Sequence, residues 1–305
     1  MIKPKTHLKI LKRLLAKEPS RMFKYRLDRN ERNQPFSDKF IKNIKDKITG
    51  ELFMVYPELD PIYEKIAGWL GIKTNQLMLH SSSEQGIKAV FETYIRPEEK
   101  VLLHFPGFAM YKVYCQMFQA QIVRQHFDSE LDFDWKTYEE KITEDIRMVV
   151  VENPNGFLGI SPSLKQLESL IEKAHAAGVI ILVDEAYYHF HDETVIDWIG
   201  RFDNLIISRT FSKAFGLAGL RAGYLISQPP NIEYLKKVRP AYEINSVAIL
   251  LISELLDNFT EVLSYITDTR KNLVELREGL ARLGIQSSES KANFVAAKLG
   301  GQRIH

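Results

Sequence analysis

Five short, nearly continuous apolar runs set between helical patterns limit this chain more than any other feature. They cover residues 101–105, 148–151, 179–183, 205–207 and 224–226. A strand that is apolar at every position must be covered on both faces, and sheets covered on both faces are mainly parallel. Helical patterns over 62–70, 83–95, 163–177 and from Ser246 onward alternate with these runs. Ser163-Leu164-Lys165-Gln166 has the spacing of a capping box, and Gly178 closes that helix just before a strand. The expected fold class is therefore α/β. In such sheets ligands sit beyond the carboxyl ends of the strands, so residues just after the apolar runs are the first place to look for chemistry.

The chain's 305 residues are about two average domain lengths, although large α/β folds reach this size as one unit. Lys plus Arg is 41 against Asp plus Glu 39, so the net charge of +2 gives no global field for nucleic acid or an acidic membrane. Cys115 is the only cysteine, which excludes an intramolecular disulfide and a two-cysteine metal or redox site and points to a reducing compartment. No window approaches the roughly 18 apolar residues of a spanning helix. Basic residues recur from Lys3 to Arg29, where a secretory signal would need an apolar core. The expected location is the cytoplasm. Residues 6–17 place Leu8, Leu11 and Leu15 at helical spacing among basic residues, the pattern of a short amphipathic helix docked at a domain or subunit edge. After about Asn258 a long charged helix is expected, followed by a strand over 287–298 that feeds a second, smaller domain.

The chemistry-bearing residues follow the apolar runs. Lys213 stands in Ser208-Arg209-Thr210-Phe211-Ser212-Lys213-Ala214-Phe215-Gly216. A lysine held there is poised for desolvation, which favours the neutral amine that can form a Schiff base. Thr210 and Ser212 offer hydroxyls, and Arg221, eight residues after the lysine, can fork onto a phosphate. Asp184 ends the run 179–183, where a buried carboxylate can pair with a protonated ring nitrogen, and Tyr187 can hydrogen-bond a ring hydroxyl. Ser81-Ser82-Ser83-Glu84-Gln85-Gly86 opens an apolar-periodic helix, whose first-turn amides suit an anion. Phe108, after Pro106-Gly107, can stack on a flat cofactor. His189 and His191 read as loop histidines, without a carboxylate or cysteine at ligand spacing to make a metal site. Nucleotide-binding and zinc-hydrolase motifs are missing from the sequence.

Asp184-Glu185-Ala186-Tyr187 after a strand, then Thr210-Phe211-Ser212-Lys213-Ala214-Phe215-Gly216-Leu217-Ala218-Gly219-Leu220-Arg221, resembles the fold-type I pyridoxal-phosphate enzymes of the class I/II aminotransferases. The histidinol-phosphate aminotransferase branch is the most similar. Weaker echoes are Leu27-Asp28-Arg29-Asn30-Glu31, Tyr56-Pro57 and Asn293-Phe294, so the resemblance runs roughly from Leu27 to Ala297. It implies a seven-stranded, mainly parallel sheet in a large cofactor domain over 51–258. Residues 1–50 would form an N-terminal arm and part of a smaller domain, completed by 259–305 in shortened form. By position, the resemblance makes Lys213 the residue that binds pyridoxal 5′-phosphate covalently and shuttles the proton, and Asp184 the partner of the pyridine nitrogen. Tyr187 and Asn155 would hold the ring oxygen, and Phe108 would stack on the ring. Thr210, Ser212, Arg221 and the amides of Ser83, Glu84 and Gln85 would bind the phosphate. Tyr56 would reach in from the second subunit of a homodimer.

Departures from the family pattern bear on these roles. The family's Asn-Pro-Asn-Asn-Pro-Thr-Gly reads here Asn153-Pro154-Asn155-Gly156-Phe157-Leu158-Gly159, which makes Asn155 the nearest asparagine to the ring-oxygen position. Its Gly-Ser-Asp-Glu reads Ser82-Ser83-Glu84-Gln85. The chain ends about where the family continues to its substrate-carboxylate arginine, and Arg303 stands outside that motif. Either the chain is truncated or another arginine takes the role, with Arg29, Arg32 and Arg239 as candidates. The function implied is transfer of an amino group between a small phosphate-bearing or acidic amine, histidinol phosphate by default, and a 2-oxo acid such as 2-oxoglutarate. Alternatives are a decarboxylase of the threonine-phosphate type on the same lysine, or a catalytically impaired cofactor-binding chain.

Overall fold

The computed structural model describes residues 24–128 and 131–299, together with Lys3, residues 5–9, Leu11 and Arg21. Its centre is a sheet of seven strands: β1 (Leu77–His80), β2 (Lys100–Phe105), β3 (Gln121–His126), β4 (Ile146–Glu152), β5 (Ile180–Asp184), β6 (Leu205–Thr210) and β7 (Gly223–Ser227). The order is β1-β7-β6-β5-β4-β2-β3, and only β7 runs antiparallel to its neighbours. The α/β class and the mainly parallel sheet are as the apolar runs require.

Side chains alternate across a strand, so each face has its own core. Val101, Leu103, Val150, Leu182 and Ile206 pack on one side with residues of helices Ser83–Tyr94, Ala109–Met117 and Pro229–Val238. Leu102, Val149, Val151, Val183 and Ile207 pack on the other with helices Asp60–Leu70, Leu164–Ala176 and Ser246–Asp257. Each such side chain fully buried contributes about 1.5–3 kcal/mol. The helix Leu164–Ala176 starts with Ser163 accepting from Gln166 N while the Gln166 side chain accepts from Ser163 N, and Gly178 at φ +66° turns the chain into β5. A left-handed φ of this kind is where glycine costs least.

Two strands fall outside the five apolar runs. β1 has only four residues, and β3 lies at the sheet edge, where half-exposed and exposed residues alternate. The region 287–298 is not the expected strand. It is a turn closed by one isolated antiparallel bridge, Ser287 to Ala297, with Ser288 N donating to Ala296 O. Its polar residues bond locally and to the body of the fold, as Lys291 N does to Gly159 O, which leaves no continuous edge for a strand. The long charged helix before it spans Thr260–Arg282. Near the N-terminus a single 3₁₀ turn covers Thr6–Lys9, and most of the expected amphipathic helix lies outside the described residues. Among the described residues no helix is long and apolar enough to cross a membrane.

The connection from β2 leads outward to β3, whereas β4 returns on the opposite side of β2. The loops after β2 and β4 therefore part company at the carboxyl ends of the strands, which opens a crevice at a topological switch point.

Candidate active site

The register of the parallel strands sets the site. Glu152 pairs with Asp184 across β4 and β5, and Asp184 with Ser208 across β5 and β6, so the strand ends finish side by side. Beyond them lies a cavity of about 410 Å³ lined by residues that include Ser83, Phe108, Asp184, Tyr187, Thr210, Ser212, Lys213 and Arg221. That volume suits a small cofactor with part of a substrate. A larger neighbouring cavity of about 650 Å³ shares Phe108 and Glu152 but is lined mainly by apolar groups such as Leu103 and Met110, and it contains no lysine nucleophile candidate comparable to Lys213.

Lys213 Nζ donates to the backbone oxygens of Arg29 (2.7 Å) and Asn30 (3.4 Å). Burial lowers its pKa to about 8, partly countered by the negative charge of Glu31, so the neutral amine is accessible near physiological pH. Asp184 is buried on β5. Tyr111 Oη donates to its Oδ2 at 2.6 Å, and Ala186 N to its Oδ1 at 3.1 Å. Burial lifts its pKa to about 6 against the pull of those donors, which leaves a desolvated carboxylate at neutral pH. Tyr187 Oη accepts from Asn30 Nδ2 at 2.9 Å, and Phe294 meets its ring edge-on at 5.4 Å. Asn293 in turn donates to Asn30 O, so segments from both ends of the chain close on this tyrosine.

Of the residues that the sequence reading assigns to a phosphate, Ser83, Glu84, Thr210, Ser212 and Arg221 line the cavity. Ser82 caps the helix Ser83–Tyr94 at φ +90°, and Arg221 takes φ +53°, two conformations that side-chain-bearing residues rarely hold. Thr210 Oγ1 accepts from Ser212 N, fixing that turn. Gly223 lets β7 approach the helix start, because a Cβ there would lie 2.7 Å from Ser83 N. Gln85, however, does not line the cavity. Its side chain accepts from Ser81 N and its own N–H is bonded to Ser82 O, so the amides at the helix start come from Ser83 and Glu84.

One further residue sits elsewhere than the resemblance implies. Asn155 is fully buried and outside the cavity wall: its Oδ1 accepts from Phe157 N and Leu158 N, and its Nδ2 donates to Pro106 O. Tyr56 is 72% exposed and stacks on Tyr242 with ring centroids 4.3 Å apart, away from Lys213 in the same chain. Of the three candidate arginines, only Arg29 lines the cavity. Arg32 is held by the backbone oxygens of Gln34, Pro35 and Glu261, and Arg239 is ion-paired with Glu243. Arg303 lies outside the described residues. His189 packs among Trp69, Phe215 and Phe259 and is kept neutral by burial, with a pKa of about 3.

The sequence reading gave no role to Tyr111 and Glu152, and named Asn30 and Glu31 only within the echo Leu27-Asp28-Arg29-Asn30-Glu31. Tyr111, Asn30 and Glu31 lie in segments without a strand-end signal. Glu152 directly follows the apolar run 148–151, the position that the strand-end rule singles out, and it lines the cavity.

The donor set fits pyridoxal phosphate: a desolvated amine, a buried carboxylate for a ring nitrogen, an aromatic face at Phe108, and hydroxyls, amides and Arg221 for a phosphate. Similarity to known proteins agrees. The model of the family "Aminotransferase class I and II" matches residues 25–303. A histidinol-phosphate aminotransferase of Thermoanaerobacter sp. (strain X514) is 30% identical over 282 residues, covering 90% of this chain and 79% of that protein. One from Sulfurisphaera tokodaii is 32% identical over 278 residues, covering 90% and 77%. The fold is shared with the crystal structure of histidinol-phosphate aminotransferase from Sinorhizobium meliloti in complex with pyridoxal-5′-phosphate, at TM-score 0.81 and 18% identity over 89% of this chain and 74% of that one. A family match over nearly the whole chain, with the lysine and the carboxylate facing one cavity, makes this protein a pyridoxal-phosphate-dependent transaminase of the class I and II aminotransferases.

Proposed function

We propose that the protein transfers the amino group of histidinol phosphate, or of a closely similar phosphate-bearing amine, to a 2-oxo acid such as 2-oxoglutarate. The observation that carries this reading is the single cavity in which Lys213, Asp184 and the Thr210–Ser212–Arg221 cradle converge. The substrate choice is supported by the names of the relatives that match over 90% of the chain.

Pyridoxal phosphate, when bound, supplies an electron sink for the charge left at the substrate's α-carbon. Lys213 would hold it covalently and, once released as a free amine, take the proton from that α-carbon. Its lowered pKa suits this general-base task. Asp184, braced by Tyr111 and Ala186 N, would keep a proton on the ring nitrogen. Tyr187 would donate to the ring oxygen, and Phe108 would cover the ring face. Ser83, Glu84, Thr210, Ser212 and Arg221 would hold the phosphate, with fixed amides and one guanidinium matching its charge. Arg29, at the cavity wall, would receive the acidic group of the 2-oxo acid.

The working form in this proposal is a homodimer. Phe53, Met54, Val55, Tyr56 and Tyr242 form an exposed apolar surface, and a partner copy seated there would bring its own Tyr56 toward the cofactor phosphate. Residues 51–258 would act as the large domain, with residues 1–50 and 259–305 as the smaller one. The reaction would run in the cytoplasm, consistent with the buried, unpaired Cys115.

The test is the visible spectrum of the cofactor-loaded protein titrated separately with histidinol phosphate and with glutamate. Loss of the visible band with either, and its return with 2-oxoglutarate, is the expected result. A band that responds to neither compound, or release of carbon dioxide in place of amine exchange, would overturn the assignment.

A further inference from the structure

The resemblance gives the ring oxygen of the cofactor an asparagine as well as Tyr187, yet Asn155 has its amide engaged with Phe157 N, Leu158 N and Pro106 O. A different group faces the cavity from the same loop system. Glu152, at the carboxyl end of β4, is 3% exposed and forms part of the cavity wall beside Phe108 and Gly156. Phe108 N donates to its Oε1 at 2.8 Å and Gly156 N to its Oε2 at 2.6 Å, so the loops after β2 and β4 both close on this carboxyl. Both loops carry glycine where they meet it. A Cβ at Gly107 would lie 2.3 Å from Oε1 and one at Gly156 2.8 Å from Oε2. The loops are shaped around the glutamate, and a side chain at position 156 would take its space.

The charges around Glu152 decide its protonation. Asp184 stands beside it in register on β5, and Tyr111, Tyr138 and Tyr187 face it from neighbouring segments. Tyr111 donates to Asp184, and Tyr138 to the backbone oxygens of Leu102 and Val150. Among the described residues no lysine or arginine forms an ion pair with Glu152. His104 Nδ1 is 3.9 Å away, but burial holds that imidazole neutral, with a pKa of about 3. Burial first and Asp184 second push the Glu152 carboxyl up to about 8, and burial lifts Asp184 to about 6. Two adjacent buried carboxyls favour holding one proton between them, and the hydroxyl that Tyr111 donates to Asp184 favours placing it on Glu152. The loop amides take one lone pair on each oxygen, which leaves the acid proton for a partner in the cavity.

We infer that Glu152 is a cofactor-contacting residue of this chain that donates a hydrogen bond to the ring oxygen of pyridoxal phosphate, in place of the asparagine amide. The inference rests on the cofactor reading above and adds a residue to it. With Glu152 neutral, Asp184 is the one ionised carboxyl of the pair, which is the state its role at the ring nitrogen requires. A charged Glu152 would repel both Asp184 and the ring oxygen.

Infrared difference spectroscopy of the full-length protein before and after loading with pyridoxal phosphate tests this. The expected result is a protonated-carboxyl band at neutral pH that shifts on loading and is missing from Glu152→Gln. The variant keeps a donor and one acceptor, so its affinity for the cofactor should stay within about threefold of wild type, while Glu152→Ala should lose about tenfold or more. In Glu152→Ala the pH midpoint of the visible band should also rise by roughly one unit, because a donor on the ring oxygen stabilises its negative charge. A protonated-carboxyl band that is missing, or that stays put while the visible band forms, would reduce Glu152 to a brace between loops and overturn the inference. Should Glu152→Ala not fold, wild type and Glu152→Gln still decide it. A protein that takes up no pyridoxal phosphate would overturn the cofactor reading itself, a separate outcome seen in the visible spectrum alone.

Discussion

Burial acts on Lys213 and Asp184 in opposite chemical senses and prepares both for one task. It lowers the lysine to about 8 and raises the aspartate to about 6, so between these values the aspartate is ionised while part of the lysine is already neutral. The rate of cofactor capture by the apo-protein should therefore rise about tenfold per pH unit below pH 8 and level off above it, since only the neutral amine attacks. Stopped-flow mixing with pyridoxal phosphate across pH 6 to 9.5 would read this. A flat profile would show that Lys213 is not the attacking group. Lys213→Ala should keep the fold, as judged by circular dichroism, but lose the visible band and reduce amine exchange by at least about 10³-fold. The sequence made the types of these residues legible because Asp184 stands directly after an apolar run and Lys213 in the segment that follows another. It did not show that Asn155 would be engaged by its own loop, because the bonds to Phe157 N and Leu158 N depend on the local turn.

At the scale of elements, the proposed phosphate cradle depends on β7 lying close to the start of the helix Ser83–Tyr94. Gly223 makes the approach possible: an added Cβ would lie 2.7 Å from Ser83 N and 2.8 Å from Arg209 O, both backbone atoms of packed elements. Gly223→Ala should cost about 1–3 kcal/mol through this overpacking and weaken pyridoxal phosphate binding by roughly tenfold, because the first-turn amides shift. Chemical denaturation and a fluorescence titration of the cofactor check the two parts. Unchanged affinity in a destabilised variant would separate the cradle from the packing. The contact links residues 140 positions apart in no local pattern, so no periodicity in the sequence reports it. The strands that the apolar runs did report, such as β7, are buried along their length, whereas β3 at the edge hides among polar residues.

For the whole molecule, the surface around Tyr56 carries the remaining prediction. Phe53 and Met54 are 67% and 83% exposed, next to the stacked Tyr56–Tyr242 pair. Buried apolar anchors near the centre of an interface carry most of its energy, so a charge placed there is costly. Met54→Asp should weaken the proposed dimer by about 100-fold or more, with cofactor affinity falling in parallel because Tyr56 no longer reaches a partner's site. Sedimentation velocity against protein concentration would show it. An unaltered dimer would mean that the subunits meet through another face.

The sequence by itself determined the α/β class, the helical segments and the grouping of Asp184, Tyr187, Lys213 and Arg221, because each follows from local order: an apolar run, then the residues of the segment after it. The tertiary structure decided which of these groups share a cavity and in what state of charge. The in-register ends of β4 and β5 put Glu152 beside Asp184, and the folding of Asn30 and Asn293 onto Tyr187 brings both ends of the chain to the site. Such contacts are made between segments far apart along the chain, and burial, which sets the protonation of every group there, is a property of the packed molecule.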